Sequence, residues 1–188
     1  MPKCVKNWKK IIPNSLTISR VIATFIITIL FFTNIENKFI WIYGFFIFAS
    51  LTDFLDGFLA RKWKVESMFG RVFDSLFDKI FVLVMFMLLI SYNIVHPLVF
   101  IALLFRELFV DGIKNYMLAH NKPIAPLMTG KLKMVFQVLM LNFMILFLIF
   151  PDISVLYNSV IISTGFALFF SFYSGFLYTK NFFRYLKS

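Results

Sequence analysis

The sequence has one cysteine, Cys4, and two histidines, His96 and His120. A single cysteine excludes an intramolecular disulfide and any cysteine-rich metal centre. Charge is scarce as well. Only 15% of the 188 residues are Asp, Glu, Lys or Arg, and only 9 of them are acidic. A soluble domain is usually about a quarter charged. No low-complexity linker and no internal repeat divides the chain, so a single domain over 1–188 is expected, with 1–13 as a juxtamembrane part. No small-residue cleavage site follows the first apolar run, which is therefore expected to be a retained helix and not a signal peptide.

Apolar residues take up the difference. They make up 61% of the chain, aromatic residues 20%, and mean hydropathy is +0.86. The fold class expected is all-α, a polytopic membrane protein with six transmembrane helices. The spans fall at roughly 16–33, 39–61, 69–91, 97–118, 131–150 and 155–179, each near the ~20 residues that cross a core of about 30 Å. Lipid offers no partners to an open backbone, and the alternating pattern of a barrel is absent. Before the first span, Val5, Trp8 and Ile12 recur at helical spacing among Lys3, Lys6 and Lys10, which predicts a short amphipathic helix on the membrane surface.

The charges set an orientation. Lys3, Lys6, Lys9 and Lys10 precede span one, and Arg61, Lys62 and Lys64 follow span two. Lys114, Lys122, Lys131 and Lys133 flank the next loop on that side, and Lys180, Arg184 and Lys187 end the chain. The opposite loops hold only Lys38. With six crossings every basic cluster lies on one side, which positive-inside bias makes cytoplasmic, with both termini there. The same bias explains most of the +10 formal charge, so no nucleic-acid partner is expected. The two histidines fall in loops on opposite sides and are poor candidates for one site.

Four acids sit where acids are expensive. Asp53 and Asp56 lie near the end of span two, and Asp74 and Asp78 near the start of span three. At about 100° per residue, Asp53, Asp56, Gly57, Ala60 and Arg61 share a sector of roughly 140°. Gly70, Arg71, Asp74 and Asp78 share one of roughly 100° on the next helix. Facing each other, the two helices would bring four carboxylates to one pocket near the cytoplasmic face. Two divalent cations would cancel the four charges. Oxygen-only ligands suit Mg²⁺ or Mn²⁺ and disfavour zinc. A two-metal clamp on a phosphoryl centre follows naturally. Gly57, Ala60 and Gly70 keep the pocket face open, and Arg61 offers a planar fork for phosphate oxygens.

Read together, Asp53-x2-Asp56-Gly57-x2-Ala60-Arg61-x8-Gly70-x3-Asp74-x3-Asp78 resembles the complete signature of the CDP-alcohol phosphatidyltransferase family. That resemblance implies metal ions on Asp53, Asp56 and Asp74, with Asp78 a further ligand or the general base. It implies a CDP-lipid against Gly57, Ala60, Arg61 and Gly70, and a homodimer in the membrane. The stretch 12–20, the pair Arg106-Glu107, and Gly130-Lys131-Leu132-Lys133 with Gln137 resemble the phosphatidylglycerophosphate synthase branch. That branch implies CDP-diacylglycerol and glycerol 3-phosphate as substrates, with the acceptor phosphate on Arg106, Lys131 and Lys133. Arg106 could instead pair with Glu107 or a motif aspartate inside the membrane, and Arg20 is open to the same two readings. Ser75, Phe77 and Met134 depart from the branch pattern of Pro, Ala and Thr. A cardiolipin-forming relative using phosphatidylglycerol, an intramembrane prenyltransferase and a cation transporter are the competing classes.

Overall fold

The computed structural model describes residues 4–63, 68–120 and 127–186, and the side chains of 15–53, 76–120 and 127–186. Six helices follow one another: α1 (Cys4–Phe32), α2 (Lys38–Trp63), α3 (Met68–Ser91), α4 (Pro97–Ala119), α5 (Met128–Ile149) and α6 (Ser154–Leu186). Each coincides within a few residues with an apolar run, except at the start. There the backbone stays helical through Pro13, so the expected surface helix and the first span form one element of 29 residues, about 43 Å long. A proline inside a helix removes one N–H, and a membrane helix tolerates that loss.

Three stretches are long and apolar enough to cross a membrane among the described residues: Ser15–Phe32, Met128–Ile149 and Ser154–Leu186. The chain is a membrane protein. α4 is less apolar because Arg106, Glu107, Asp111 and Lys114 lie within its 23 residues. α2 and α3 both run into residues whose side chains are not described.

The helices fall into two compact units, Met1–Leu88 and Leu89–Ser188. In the first, α1 buries Arg20, Ala23, Thr24 and Ile27, a stripe spaced three and four apart. It packs on α2, which buries Ile42, Phe46, Ala49 and Thr52 at the same spacing. Phe46 stacks on Phe81 of α3, with ring centroids 5.8 Å apart. The outward face of α1 is just as apolar, presenting Ile18, Ile22, Phe25, Ile29 and Phe32. A helix apolar on both faces belongs in lipid. Its hydroxyls are spent on its own backbone: Thr24 donates to the Arg20 carbonyl at 2.8 Å and Thr28 to the Thr24 carbonyl at 2.9 Å.

In the second unit α5 and α6 form an antiparallel pair, and α4 packs on α6. Phe136 of α5 stacks on Phe170 of α6 at 4.9 Å. The buried face of α6 is Ser163, Ala167, Ser171, Ser174, Gly175 and Tyr178. Small residues let membrane helices approach closely, where dispersion replaces a hydrophobic driving force. Pro97 opens α4 with His96 as its cap, the imidazole Nδ1 accepting from the Leu98 N–H at 3.3 Å. His120 closes the same helix, so the two histidines stand about 35 Å apart along it.

The start of α5 has no side-chain cap of its own. The Leu127 N–H instead donates to the Tyr178 hydroxyl at 3.2 Å. A β-carbon on Gly130 would lie 3.5 Å from that hydroxyl, so the phenol fits against the first turn. The first amides of a helix have no partner within it, and one provided by α6 fixes where α5 begins. Replacing Tyr178 by Phe should therefore cost about 0.5–1.5 kcal/mol. Faster amide exchange at Leu127 and a small fall in the thermal midpoint in detergent would report it; unchanged exchange would not fit.

Candidate functional site

Arg20 lies in the buried stripe of α1 and is 1% exposed. Its guanidinium reaches two other helices. Nη2 is 2.8 Å from Oδ1 of Asp53 on α2, and Nη1 donates to Oδ1 of Asp78 on α3. The two carboxylates are 39% and 33% exposed, so each faces the cation on one side and open space on the other. The first and last acids of the motif, 25 positions apart in sequence, thus converge on one planar group.

Asp56, Gly57, Ala60 and Arg61 continue α2 beyond Asp53, and Gly70 and Asp74 precede Asp78 on α3. Their side chains lie outside the described residues. By helical rise, Asp56 is about 4.5 Å along its axis from Asp53, and Asp74 about 6 Å from Asp78. Asp53 and Asp78 bring carboxylate oxygens from separate helices to the same guanidinium, and oxygen is the donor that hard divalent cations take.

A second polar cluster lies within the other unit. Lys133 on α5 is 4% exposed, and its Nζ binds Oε2 of Glu107 on α4 at 2.7 Å. Arg106, next along α4, turns about 100° away and points at α6. There its Nη2 donates to the Ser174 hydroxyl at 2.5 Å. Glu107 therefore pairs with Lys133 and not with its neighbour Arg106. Gln137, one turn beyond Lys133, is buried on the same face. Lys131 is exposed: two residues from Lys133, it stands about 200° round the helix. The three cations expected around an acceptor phosphate are thus divided, with Lys133 inside the helix packing and Lys131 outside it.

Residues 10–172 match the family model described as CDP-alcohol phosphatidyltransferase. The chain belongs to the CDP-alcohol phosphatidyltransferase family. It is 33% identical over 158 residues to a protein of Mycoplasma pneumoniae, covering 74% of this chain and 69% of that one. Over 115 residues it is 36% identical to one of Cereibacter sphaeroides, 59% of this chain and 51% of the relative. With a protein of Rickettsia typhi it shares 32% over 139 residues, 73% and 77% of the two chains. All three relatives carry the name CDP-diacylglycerol–glycerol-3-phosphate 3-phosphatidyltransferase. The chain is an enzyme of this phosphatidyltransferase family, and Asp53, Asp56, Asp74 and Asp78 all lie within the matched residues.

Two contributors were hard to see in the sequence. Arg20 was one candidate cation among several, although a charge inside an apolar run always signals a partner. Ser174 and Gly175 gave no signal, being small residues in an apolar helix. Gly175 has a definite role: a β-carbon there would sit 3.3 Å from Arg106 Nε and 3.4 Å from its Cγ. Gly175→Ala should press the Arg106 side chain back by a few tenths of an ångström, and a strain of about 1 kcal/mol or more would outweigh the roughly 0.5–1 kcal/mol that a helix gains on losing a glycine. A lowered thermal midpoint is the expected reading, and an unchanged one would show that Arg106 shifts freely.

Proposed function

We propose that the protein transfers the phosphatidyl group of CDP-diacylglycerol to sn-glycerol 3-phosphate, giving phosphatidylglycerophosphate and CMP. The observation carrying this is the name common to relatives that match most of the chain, together with the four aspartates of the family motif. The acceptor hydroxyl forms a bond to the phosphorus attached to diacylglycerol. The bond from that phosphorus to the CMP oxygen breaks, CMP leaves, and the hydroxyl proton passes to Asp78.

Asp53, Asp56, Asp74 and Asp78 would hold Mg²⁺ or Mn²⁺, in all two ions, supplying positive charge to the transferring phosphoryl group. Gly57, Ala60 and Gly70 would give the nucleotide room, and Arg61 would offer its planar fork to the phosphates. The acceptor phosphate is assigned to Arg106, Lys131 and Lys133. Lys133 would have to give up or share its bond with Glu107 to take that role. Six crossings with cytoplasmic termini complete the reading, since they put every basic cluster on the side where a phosphorylated, water-soluble acceptor is found. A homodimer embedded in membrane lipid follows from the family resemblance.

Purified protein in detergent should release CMP from CDP-diacylglycerol when given glycerol 3-phosphate and Mg²⁺ or Mn²⁺, and should not with either one omitted. Release only with phosphatidylglycerol as acceptor would overturn the assignment, and full turnover in chelator would overturn the metal. Asp53→Asn keeps the shape of the side chain and removes a charged ligand. Turnover should fall by about 100-fold or more, measured as initial rate of CMP release at saturating substrates.

A further inference from the structure

Arg20 is unlike an ordinary ion-pair partner in three respects. It is buried to 1% exposure, whereas both of its acids are a third or more exposed. It comes from a helix outside the aspartate motif. And its two terminal nitrogens go to different helices, Nη2 to Asp53 on α2 and Nη1 to Asp78 on α3. A guanidinium is planar and rigid, so the carboxylate hydrogen-bonded to Nη1 and the one ion-paired with Nη2 are both drawn to a single rigid fork. The stem is fixed in turn. Ala23, Thr24 and Ile27 are buried on the same face of α1, and the Thr24 hydroxyl closes on the Arg20 carbonyl.

We propose that Arg20 is a positioning residue, holding the Asp53 and Asp78 carboxylates at the spacing from which they ligate a divalent cation. The inference rests on the metal reading given under Proposed function and concerns the shape of the ligand set. A carboxylate that ligates a metal is oriented by the groups that hydrogen-bond to it, and losing such a group typically weakens metal affinity about 10–100-fold. Here a single group orients two ligands from two helices.

Charge alone would act in the opposite sense. A fixed cation beside a divalent ion repels it, so simple removal of Arg20 mixes a loss of shape with a gain from relieved repulsion. Lysine separates the two effects. Arg20→Lys keeps the positive charge, which leaves the acids with a cation, and loses the fork. A compact ammonium on a flexible stem cannot hold two carboxylates at a set distance.

The experiment is Mn²⁺ titration of the purified full chain in detergent, with free Mn²⁺ read by electron paramagnetic resonance, for wild type, Arg20→Lys and Arg20→Gln. Helix content and thermal midpoint are recorded alongside. Wild type should bind Mn²⁺. Arg20→Lys should bind it about 10–100-fold more weakly with helix content retained, and Arg20→Gln, relieved of the repulsion, should bind at least as tightly as Arg20→Lys. Wild-type affinity in Arg20→Lys would show that Arg20 contributes charge and not shape, and overturns the proposal. No Mn²⁺ bound by wild type would remove the metal reading, and this inference with it. Failure of both variants to fold would assign Arg20 to holding the helices together and overturns the proposal as well.

Discussion

A charge taken out of water has to be met by another group, and the helices of this protein are arranged around that requirement. The buried cations among the described residues are Arg20, Arg106 and Lys133. Each has a partner on a helix other than its own: Arg20 on α2 and α3, Arg106 in Ser174 of α6, Lys133 in Glu107 of α4. Breaking a buried pair by removing one partner typically costs about 3–5 kcal/mol, because the other charge is left stranded. The screening of the half-exposed acids reduces that figure here. These links are directional where the apolar contacts around them are not. Leu, Ile and Phe on both faces of α1 would tolerate rotation about the helix axis; a guanidinium bound to Asp53 and Asp78 does not.

The same requirement explains why the polar residues face inward. In water a helix hides its apolar stripe; in lipid the helix is apolar all round and its polar stripe needs the shelter. α4 shows this plainly. Its buried stripe of Leu103, Arg106, Val110, Ile113 and Met117 includes a charge, while Phe105, Leu108 and Phe109 are exposed. The small residues of α6 serve the arrangement from the other side. Ser174 receives the Arg106 guanidinium and Gly175 leaves space for its stem. Chemistry that needs fixed carboxylates and cations near a lipid substrate can be built on such a frame.

Much of this was legible in the amino-acid order. Six helices stand where six apolar runs are, and the stretches in α1, α5 and α6 are long and apolar enough to cross a membrane. Pro97 starts α4 because its missing N–H falls among amides that have no partner there. The break expected near Pro13 did not occur, since one lost hydrogen bond is too little to end a helix of 29 residues. The four aspartates and their family were visible because spacing along a helix fixes direction. Arg106 and Glu107, by contrast, are adjacent and oppositely charged, and a pair between them is one alternative to a role for Arg106 on the acceptor phosphate. Their 100° divergence sends one to α6 and the other to α5.

By itself, then, the sequence determined which segments are helical, which family the chain resembles, and that Asp53, Asp56, Asp74 and Asp78 occupy one end of two consecutive helices. Those properties depend on residue type and on period, which local geometry carries. Packing alone decided which cation meets which acid: Arg20 reaches Asp53 and Asp78, and Lys133 turns inward to Glu107 while Lys131 turns out. A partner 33 or 58 positions away is selected by how three helices are rotated against one another, and rotation is set by the fit of whole faces.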